Sequence, residues 1–168
     1  MIMANRAEAR TDLILDTDGV LLPYAPIESA RLPFVVTRLM GVEHYATEVV
    51  SRLGKLSVNL VWLTTAHPSD VLFMTDRMND LKDGHHLGLP RLSLWRPRIT
   101  QKLNALILYE ATPARPFVWV DDEIAEIEIA KVDEKFVDTP HLVIVPDRNI
   151  GLDEQQLSSI EQFVANHS

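Results

Sequence analysis

The sequence predicts an α/β protein with a three-layer, Rossmann-like fold, in which helices cover both faces of a parallel sheet of about five strands. Three features predict it: unbroken apolar runs, helical spacing of apolar residues between the runs, and polar residues directly after most runs. Strands that are covered on both faces read as continuous apolar segments, whereas half-exposed strands alternate. Strand and helix signals alternate along the whole chain, which is typical of a parallel sheet.

Four apolar runs predict the main strands, and a weaker run predicts a fifth. The four are Leu13–Leu15, Leu60–Leu63, Phe117–Val120 and Leu142–Val145, and the weaker one is Leu92–Trp95. In open α/β sheets, ligands bind outside the carboxyl ends of the strands. The residues that directly follow these runs are therefore the first place to look for a functional site.

Two helices are predicted in the first half of the chain. Apolar residues at spacings of three and four run from Val42 to Leu53, and Gly54 follows as a stop signal. Pro68 is suited to open the second helix, which carries apolar residues on one face as far as Met78.

Two further helices are predicted in the second half. Thr100 can cap a helix that runs through Leu103 to Ile107. Asp153 and Gln156 have the spacing of a capping box, and the apolar residues of the last helix follow them. Those residues are Leu157, Ile160 and Val164.

The chain has no internal repeat, low-complexity tract or linker rich in Gly and Ser, so we expect a single domain over residues 11–168 and a flexible N-terminal tail over residues 1–10. About 45 residues separate Asp18 from Thr64, and about 37 separate Thr64 from Lys102. Predicted helices and strands fill both gaps, which leaves no room for a separate cap domain. We therefore expect an open site, with water excluded by the loop Leu22–Arg38 or by the substrate itself.

Composition excludes several classes of function. The 168 residues include no cysteine, which excludes disulfides, thiolate metal ligands and a cysteine nucleophile. No apolar run approaches the roughly 18 residues of a membrane helix. The N-terminal segment MIMANRAEAR has no apolar core of a secretory signal. We therefore expect a soluble cytoplasmic protein without a membrane partner.

The net charge of −8 is unevenly distributed. Residues 1–120 hold 13 basic and 12 acidic residues, whereas residues 121–168 hold 3 basic and 12 acidic ones. An acidic chain binds nucleic acid poorly by charge alone, so a nucleic-acid end stays possible as a substrate without being indicated by net charge. One acid-free stretch contains four basic residues, which form either a solvated loop or a patch that binds an anionic substrate. They are Arg91, Arg96, Arg98 and Lys102.

Polar residues at the predicted strand ends form an ordered set of acid pair, hydroxyl pair, lysine and acid pair. Its members are Asp16 and Asp18, Thr64 and Thr65, Lys102, and Asp121 and Asp122. The first pair does not belong to an EF-hand, because Gly19 directly follows the second acid and no third oxygen ligand precedes it. The set suits phosphoryl transfer, since a carboxylate that attacks a phosphate dianion needs a divalent cation to overcome charge repulsion.

The residue types predict a chemical role for each member of this set. Asp16 with Asp121 or Asp122 would hold Mg²⁺ through oxygen ligands. Lys102 would add positive charge, and the Thr64 hydroxyl could bind a phosphate oxygen. Asp18 could protonate the leaving oxygen and later deprotonate water. Thr65, Arg96 and Arg98 are the candidates for binding the rest of a phosphorylated substrate.

The segments LILDTDGVL, VWLTT, Lys102 and FVWVDDE, in this order, resemble the four motifs of the haloacid dehalogenase-like (HAD) superfamily. The Trp before the threonines and the WVDDE run are similar to small, cap-less HAD domains, such as those of Swiss-army-knife RNA repair proteins and of actinobacterial and phage homologues. The resemblance implies Mg²⁺-dependent phosphatase activity, with Asp16 as nucleophile and Asp18 as acid/base and metal ligand. It also implies that Thr64 and Lys102 contact phosphate and that Asp121 and Asp122 serve the metal.

Each of these residues also has a purely structural interpretation. Asp16 and Asp18 could form a turn, Asp121 and Asp122 could begin a helix, and Lys102 could be a solvated residue in a first helical turn. The adjacent His85 and His86 are expected in a plain loop rather than at a metal. For the whole chain, the alternative function is a catalytically weak HAD-like binding or interaction module, for example a phage accessory protein.

Overall fold

The structure, a computed structural model, describes the chain in segments. These are residues 11–24, 36–39, 43–66, 69, 71, 78–81, 84–87, 89, 98–110 and 115–167, with only the backbone described at 36–39, 43–46, 79 and 98. The expected N-terminal tail, the predicted strand Leu92–Trp95 and most of the helix predicted over Pro68–Met78 lie outside the described residues.

Five parallel strands form one sheet: β1 (Asp12–Leu15), β4 (Asn59–Trp62), β5 (His85–His86), β6 (Phe117–Val120) and β7 (His141–Ile144). Their order across the sheet is β5-β4-β1-β6-β7. The apolar runs thus predict β1, β4, β6 and β7 to within one residue at each end. The central position of β1, between β4 and β6, brings the residues that follow three different strands to one edge of the sheet.

Helices pack on both faces of this sheet, which confirms the three-layer α/β fold. They are α1 (Thr47–Gly54), α2 (Arg98–Glu110), α3 (Glu126–Lys135) and α4 (Glu154–His167). Leu13 and Leu15 of β1 face a core that contains α1 and α4, whereas Ile14 faces a second core that contains α2 and α3. Successive strand residues point to opposite faces, so a strand between two helical layers must be apolar throughout.

The capping box predicted for the last helix is present. The backbone N–H of Gln156 donates to a side-chain oxygen of Asp153 at 2.8 Å, and the N–H of Asp153 donates to the Gln156 side chain at 3.1 Å. The three predicted apolar residues of this helix are all buried. No helix among the described residues is both long enough and apolar enough to span a membrane.

Three sequence-based predictions about secondary structure are wrong in part. Residues 43–46, predicted as the start of a helix, form strand β3 (Glu43–Ala46), which pairs antiparallel with β2 (Val36–Leu39). The pairing partner of β3 lies only a few residues earlier in the chain, but apolar residues at helical spacing give no sign of such a pairing. His85 and His86 form the edge strand β5 instead of a loop, and an edge strand this short needs no apolar run. Helix α2 begins at Arg98, so Thr100 lies in its first turn rather than at its cap.

Candidate active site

The acids that follow β1 and β6 lie side by side, because these two strands are neighbours in register. Leu15 is paired with Val120, the last residue of β6. The backbone N–H of Asp16 continues the ladder with a bond to the Val120 carbonyl at 2.9 Å, and the N–H of Asp121 bonds to the Ile144 carbonyl at 3.2 Å. The sheet register therefore carries both acids to the same level of the carboxyl edge.

Three carboxylates converge at this edge. One oxygen from each of Asp16, Asp121 and Asp122 lies within 4.8 Å of the others. Asp16 is 4% exposed and Asp121 is fully buried. Only 3% of the Asp122 side chain is exposed. Like charges at this separation and depth repel one another strongly, so the cluster requires positive charge.

The Lys102 ammonium supplies part of that charge from helix α2. It donates to Oδ2 of Asp16 and, at 2.7 Å, to Oδ2 of Asp121. Lys102 is only 1% exposed, so the interpretation of this residue as a solvated lysine is wrong. Two of the three carboxylates thus share one lysine.

The pKa values reflect the imbalance between these carboxylates and the lysine. Burial alone would lower the pKa of Lys102, but the charges of Asp16 and Asp121 outweigh burial and raise it. Burial, together with the charge of Asp16, raises the pKa of Asp121 to about 7, and Lys102 offsets these effects only in part. One lysine therefore does not neutralise both carboxylates, and the site favours a further cation or a proton.

The hydroxyl residues behind β4 divide into a buried one and an exposed one. Thr64 is 2% exposed, and its Oγ1 lies 3.1 Å from Oγ1 of Thr17. It also accepts a hydrogen bond from the N–H of Ala66 at 3.2 Å. Thr65 is exposed. The structure thus brings Thr64 next to the first acid pair, whereas Thr65 faces solvent.

Thr17 is a site residue that the sequence analysis missed. Its N–H donates to Oδ1 of Asp16 at 2.7 Å, and its hydroxyl lies next to that of Thr64. Both oxygens of the Asp16 carboxylate are therefore engaged, one by Thr17 and the other by Lys102, which fixes the direction of the side chain. The position of Thr17 between two acids that directly follow a predicted strand was the available signal in the sequence.

The Asp18–Gly19 segment forms a tight turn over the cluster. The N–H of Gly19 donates to the Leu22 carbonyl at 2.9 Å, and Gly19 has a φ of +68°. A Cβ at Gly19 would lie 2.4 Å from Cγ of Asp122, so only glycine leaves room for that carboxylate. Asp18 is half-buried in the same turn.

Asp121 and Asp122 lie in a turn before α3 and are not part of the helix start. Oδ1 of Asp121 accepts the N–H of Glu123 at 3.0 Å, and the helix begins only at Glu126. The interpretation of these acids as first-turn helix residues is therefore wrong. The carboxyl-end rule for parallel sheets, rather than the helix dipole, accounts for their position.

A second missed feature is the loop after β7, which lies against the loop after β1. The N–H of Tyr24 donates to the Arg148 carbonyl at 2.9 Å, and that of Leu152 to the Val20 carbonyl at 3.2 Å. From this loop, Nε and Nη2 of Arg148 donate to Oδ2 of Asp122 at 3.1 and 3.0 Å. Partial burial, followed by the charges of Asp18 and Asp122, raises the pKa of Tyr24.

The donor set suits a hard divalent cation. Three carboxylates supply the oxygen ligands that Mg²⁺ prefers, and they are close enough to share one ion. The space that Gly19 leaves for the Asp122 carboxylate keeps the third ligand at the cluster. Asp16, Asp121 and Asp122 could therefore hold the cation, and Asp18 follows two residues after the first of them.

The two arginines predicted to bind substrate are not placed. Arg96 lies outside the described residues, and Arg98 is described only as the first residue of α2, without its side chain. Among the described residues, the exposed basic side chain that contacts the carboxylate cluster is Arg148.

A scan of protein-family models and searches of curated proteins and solved structures found no match to this chain.

Proposed function

We propose that the protein is a Mg²⁺-dependent phosphohydrolase of the HAD-like type, which cleaves a phosphomonoester through an aspartyl-phosphate intermediate. One observation carries this proposal: three buried carboxylates from two neighbouring strand ends lie within 4.8 Å of one another, and one buried lysine bridges two of them. Such a cluster stores charge repulsion that a stable core would avoid, which is typical of functional sites.

Asp16, Asp121 and Asp122 would hold Mg²⁺, with Asp18 as the fourth residue of the metal set. The bound ion supplies Lewis acidity, neutralising the phosphate and lowering the repulsion between it and the carboxylates. The buried setting strengthens this effect, because charges interact more strongly where water is excluded.

Asp16 is the proposed nucleophile. Its carboxylate oxygen attacks phosphorus, the bond from phosphorus to the ester oxygen breaks, and Asp18 donates a proton to the leaving oxygen. Asp18 then takes a proton from water, the water oxygen attacks phosphorus, and inorganic phosphate leaves as the Asp16 carboxylate is regenerated. The first step requires Asp18 in its protonated form.

Lys102 and Thr64 would support the transferred group. The Lys102 ammonium already touches the nucleophile, so it can neutralise charge on Asp16 and on an adjacent phosphate oxygen. The Thr64 hydroxyl is held within reach of the first acid pair by Thr17 and can donate to a phosphate oxygen. Thr65 is exposed and suits a contact to the outer part of the substrate.

A bulky phosphomonoester, such as a nucleic-acid end, remains the predicted substrate type, on the ground that neither gap in the sequence holds a cap domain. Most of the loop Leu22–Arg38 lies outside the described residues. The open site is therefore a prediction, to be tested by comparing small and bulky substrates directly.

The proposal is tested with a panel of phosphomonoesters, from a generic aryl phosphate to nucleotides and 5′- or 3′-phosphorylated oligonucleotides. We expect turnover that EDTA abolishes and Mg²⁺ restores, and that Asp16→Asn eliminates. Absence of EDTA-sensitive turnover across the panel, with the protein folded by circular dichroism, would instead favour the alternative of a catalytically weak binding module.

A further inference from the structure

The Arg148 guanidinium stands at the rim of the carboxylate cluster with one hydrogen-bonding edge in use. Nε and Nη2 both donate to the same oxygen of Asp122, and Nη2 lies 3.8 Å from a carboxylate oxygen of Glu123, too far for a hydrogen bond. A guanidinium carries five N–H groups. Nη1 and the second hydrogen of Nη2 therefore line an outer edge that is not engaged by the described residues, on a side chain that is 53% exposed.

Arg148 is also the cation of the described site that faces solvent. Lys102 is buried and shared between Asp16 and Asp121, so it is not available to the outer part of a substrate. A substrate with negative charge beyond its scissile phosphate would approach a site rich in carboxylates. Repulsion would weaken its binding unless an exposed cation met the additional charge.

The position of Arg148 is fixed by its neighbours before any substrate arrives. Its carbonyl accepts the Tyr24 N–H at 2.9 Å, and its guanidinium carbon lies 5.6 Å from the centre of the Tyr24 ring. The turn around it is closed by a bond from the Gly151 N–H to the Asp147 carbonyl at 2.7 Å. A preorganised side chain loses little conformational entropy on binding a ligand.

We infer, on the basis of the proposed phosphohydrolase function, that Arg148 is a specificity-determining residue that binds a second anionic group of the substrate. Its inner edge stays on Asp122 while its outer edge forms a bidentate contact with a phosphate or carboxylate. Tyr24 is a positioning residue that keeps the guanidinium plane in place. The favoured substrate class is a phosphomonoester that carries a second negative group close to the scissile phosphate.

The test measures binding without turnover, in the Asp16→Asn background with Mg²⁺ present. Calorimetry compares adenosine 3′,5′-bisphosphate with adenosine 5′-monophosphate, and 2-phosphoglycolate with ethyl phosphate. We expect the second anionic group to tighten binding about tenfold in at least one pair, the size of a charge-assisted contact. The pair that shows the preference identifies the second group as phosphate or carboxylate.

Adding Arg148→Ala should remove this preference, whereas Lys135→Ala, which deletes an exposed charge at the end of α3, should leave it intact. Because Arg148 also touches Asp122, the affinity ratio within each variant is compared, so that any change in metal affinity cancels. If the alanine variant does not fold, Arg148→Gln serves for the same comparison. A preference absent from both pairs, or unchanged without the guanidinium, would overturn the inference.

This result is separable from that of the turnover assay. Wild-type turnover without a binding preference would leave the phosphohydrolase proposal in place and remove the role of Arg148. Absence of wild-type turnover, together with a preference that depends on Arg148, would support an anion-binding site and remove the catalytic proposal.

Discussion

A buried acid lies at each end of strand β1, and the two acids have different electrostatic surroundings. At the amino end, Asp12 is 1% exposed and accepts a hydrogen bond at 2.7 Å from the Asn59 side-chain amide, which also lies 3.0 Å from the Tyr109 hydroxyl. At the carboxyl end, Asp16 is 4% exposed and lies among two other carboxylates and a lysine. The two acids are four residues apart, one at the start of β1 and the other directly after it, yet their partners differ in kind.

The difference separates an acid with a structural partner from an acid that we propose to be functional. The amino-end acid accepts a hydrogen bond at one carboxylate oxygen from a neutral amide, which satisfies that oxygen without adding a charge. At the carboxyl end, three carboxylates lie close together although the fold does not require it. A cation is needed to reduce the repulsion between them. Burial alone does not distinguish the two acids, whereas the chemistry of their partners does.

The comparison is tested most sharply by the same substitution at both ends of the strand. Asp16→Asn should reduce phosphomonoester turnover by at least about a thousandfold, because the amide is a poor nucleophile. Asp12→Asn should change turnover less than about twofold, since its side-chain oxygen can still accept from Asn59. Steady-state kinetics on both variants measures the contrast, and equal losses would show that Asp16 acts only through the fold.

The next largest effect concerns the buried lysine. Lys102→Ala should destabilise the metal-free protein by about 3–5 kcal/mol, because it leaves two buried carboxylates without their shared cation. Lys131→Ala, which removes an exposed lysine of α3, should change stability by less than about 0.5 kcal/mol. Urea unfolding in EDTA measures both changes, and similar values for the two variants would contradict the role of Lys102 at the cluster.

The carboxyl-end residues were largely predictable because a general rule places ligands there. Apolar runs marked β1, β4 and β6, and the acids and threonine directly after them are the residues that converge. Each of these residues carries its signal in its own local sequence. The position of each residue directly after a predicted strand was enough to identify it as a candidate.

Features that depend on distant pairing were not predictable in the same way. Strand β5 consists of two histidines whose only strand signal is their partnership with Val61 and Trp62. Arg148 reaches Asp122 across 26 residues, and its loop is joined to the loop after β1 by backbone hydrogen bonds that any sequence could form. The loop after β7 was nevertheless open to inspection by the carboxyl-end rule, which applied to it as well as to the others.

A third prediction concerns pH and the metal. Because the pKa of Asp121 is raised from its ordinary value of 3.8 to about 7, the folded protein binds a proton there that the unfolded chain releases. Folding of the metal-free protein is thus favoured at low pH, and its stability should fall between about pH 4 and pH 8, by at most about 4 kcal/mol.

Asp121→Asn should remove this part of the pH dependence, so the difference between the two unfolding profiles isolates it from other titrating groups. Mg²⁺ should also flatten the wild-type profile, since the cation takes the place of the proton. Chemical unfolding at a series of pH values, with and without EDTA, measures both effects. Parallel profiles for wild type and variant would show that crowding of the carboxylates has no energetic consequence.

The smallest effect is expected when Asp12, at the amino end of β1, loses its neutral partner Asn59. Asn59→Ala should cost about 1–2 kcal/mol of stability, because the buried Asp12 carboxylate loses the amide that donates to it. Turnover and its Mg²⁺ dependence should stay within about twofold of wild type, since Asn59 begins β4 at the edge of the sheet opposite to the carboxylate cluster. Thermal unfolding and steady-state kinetics on one preparation measure both. A loss of turnover far beyond the loss of folded protein would mean that the two ends of β1 are coupled, and that the amino-end acid is not purely structural.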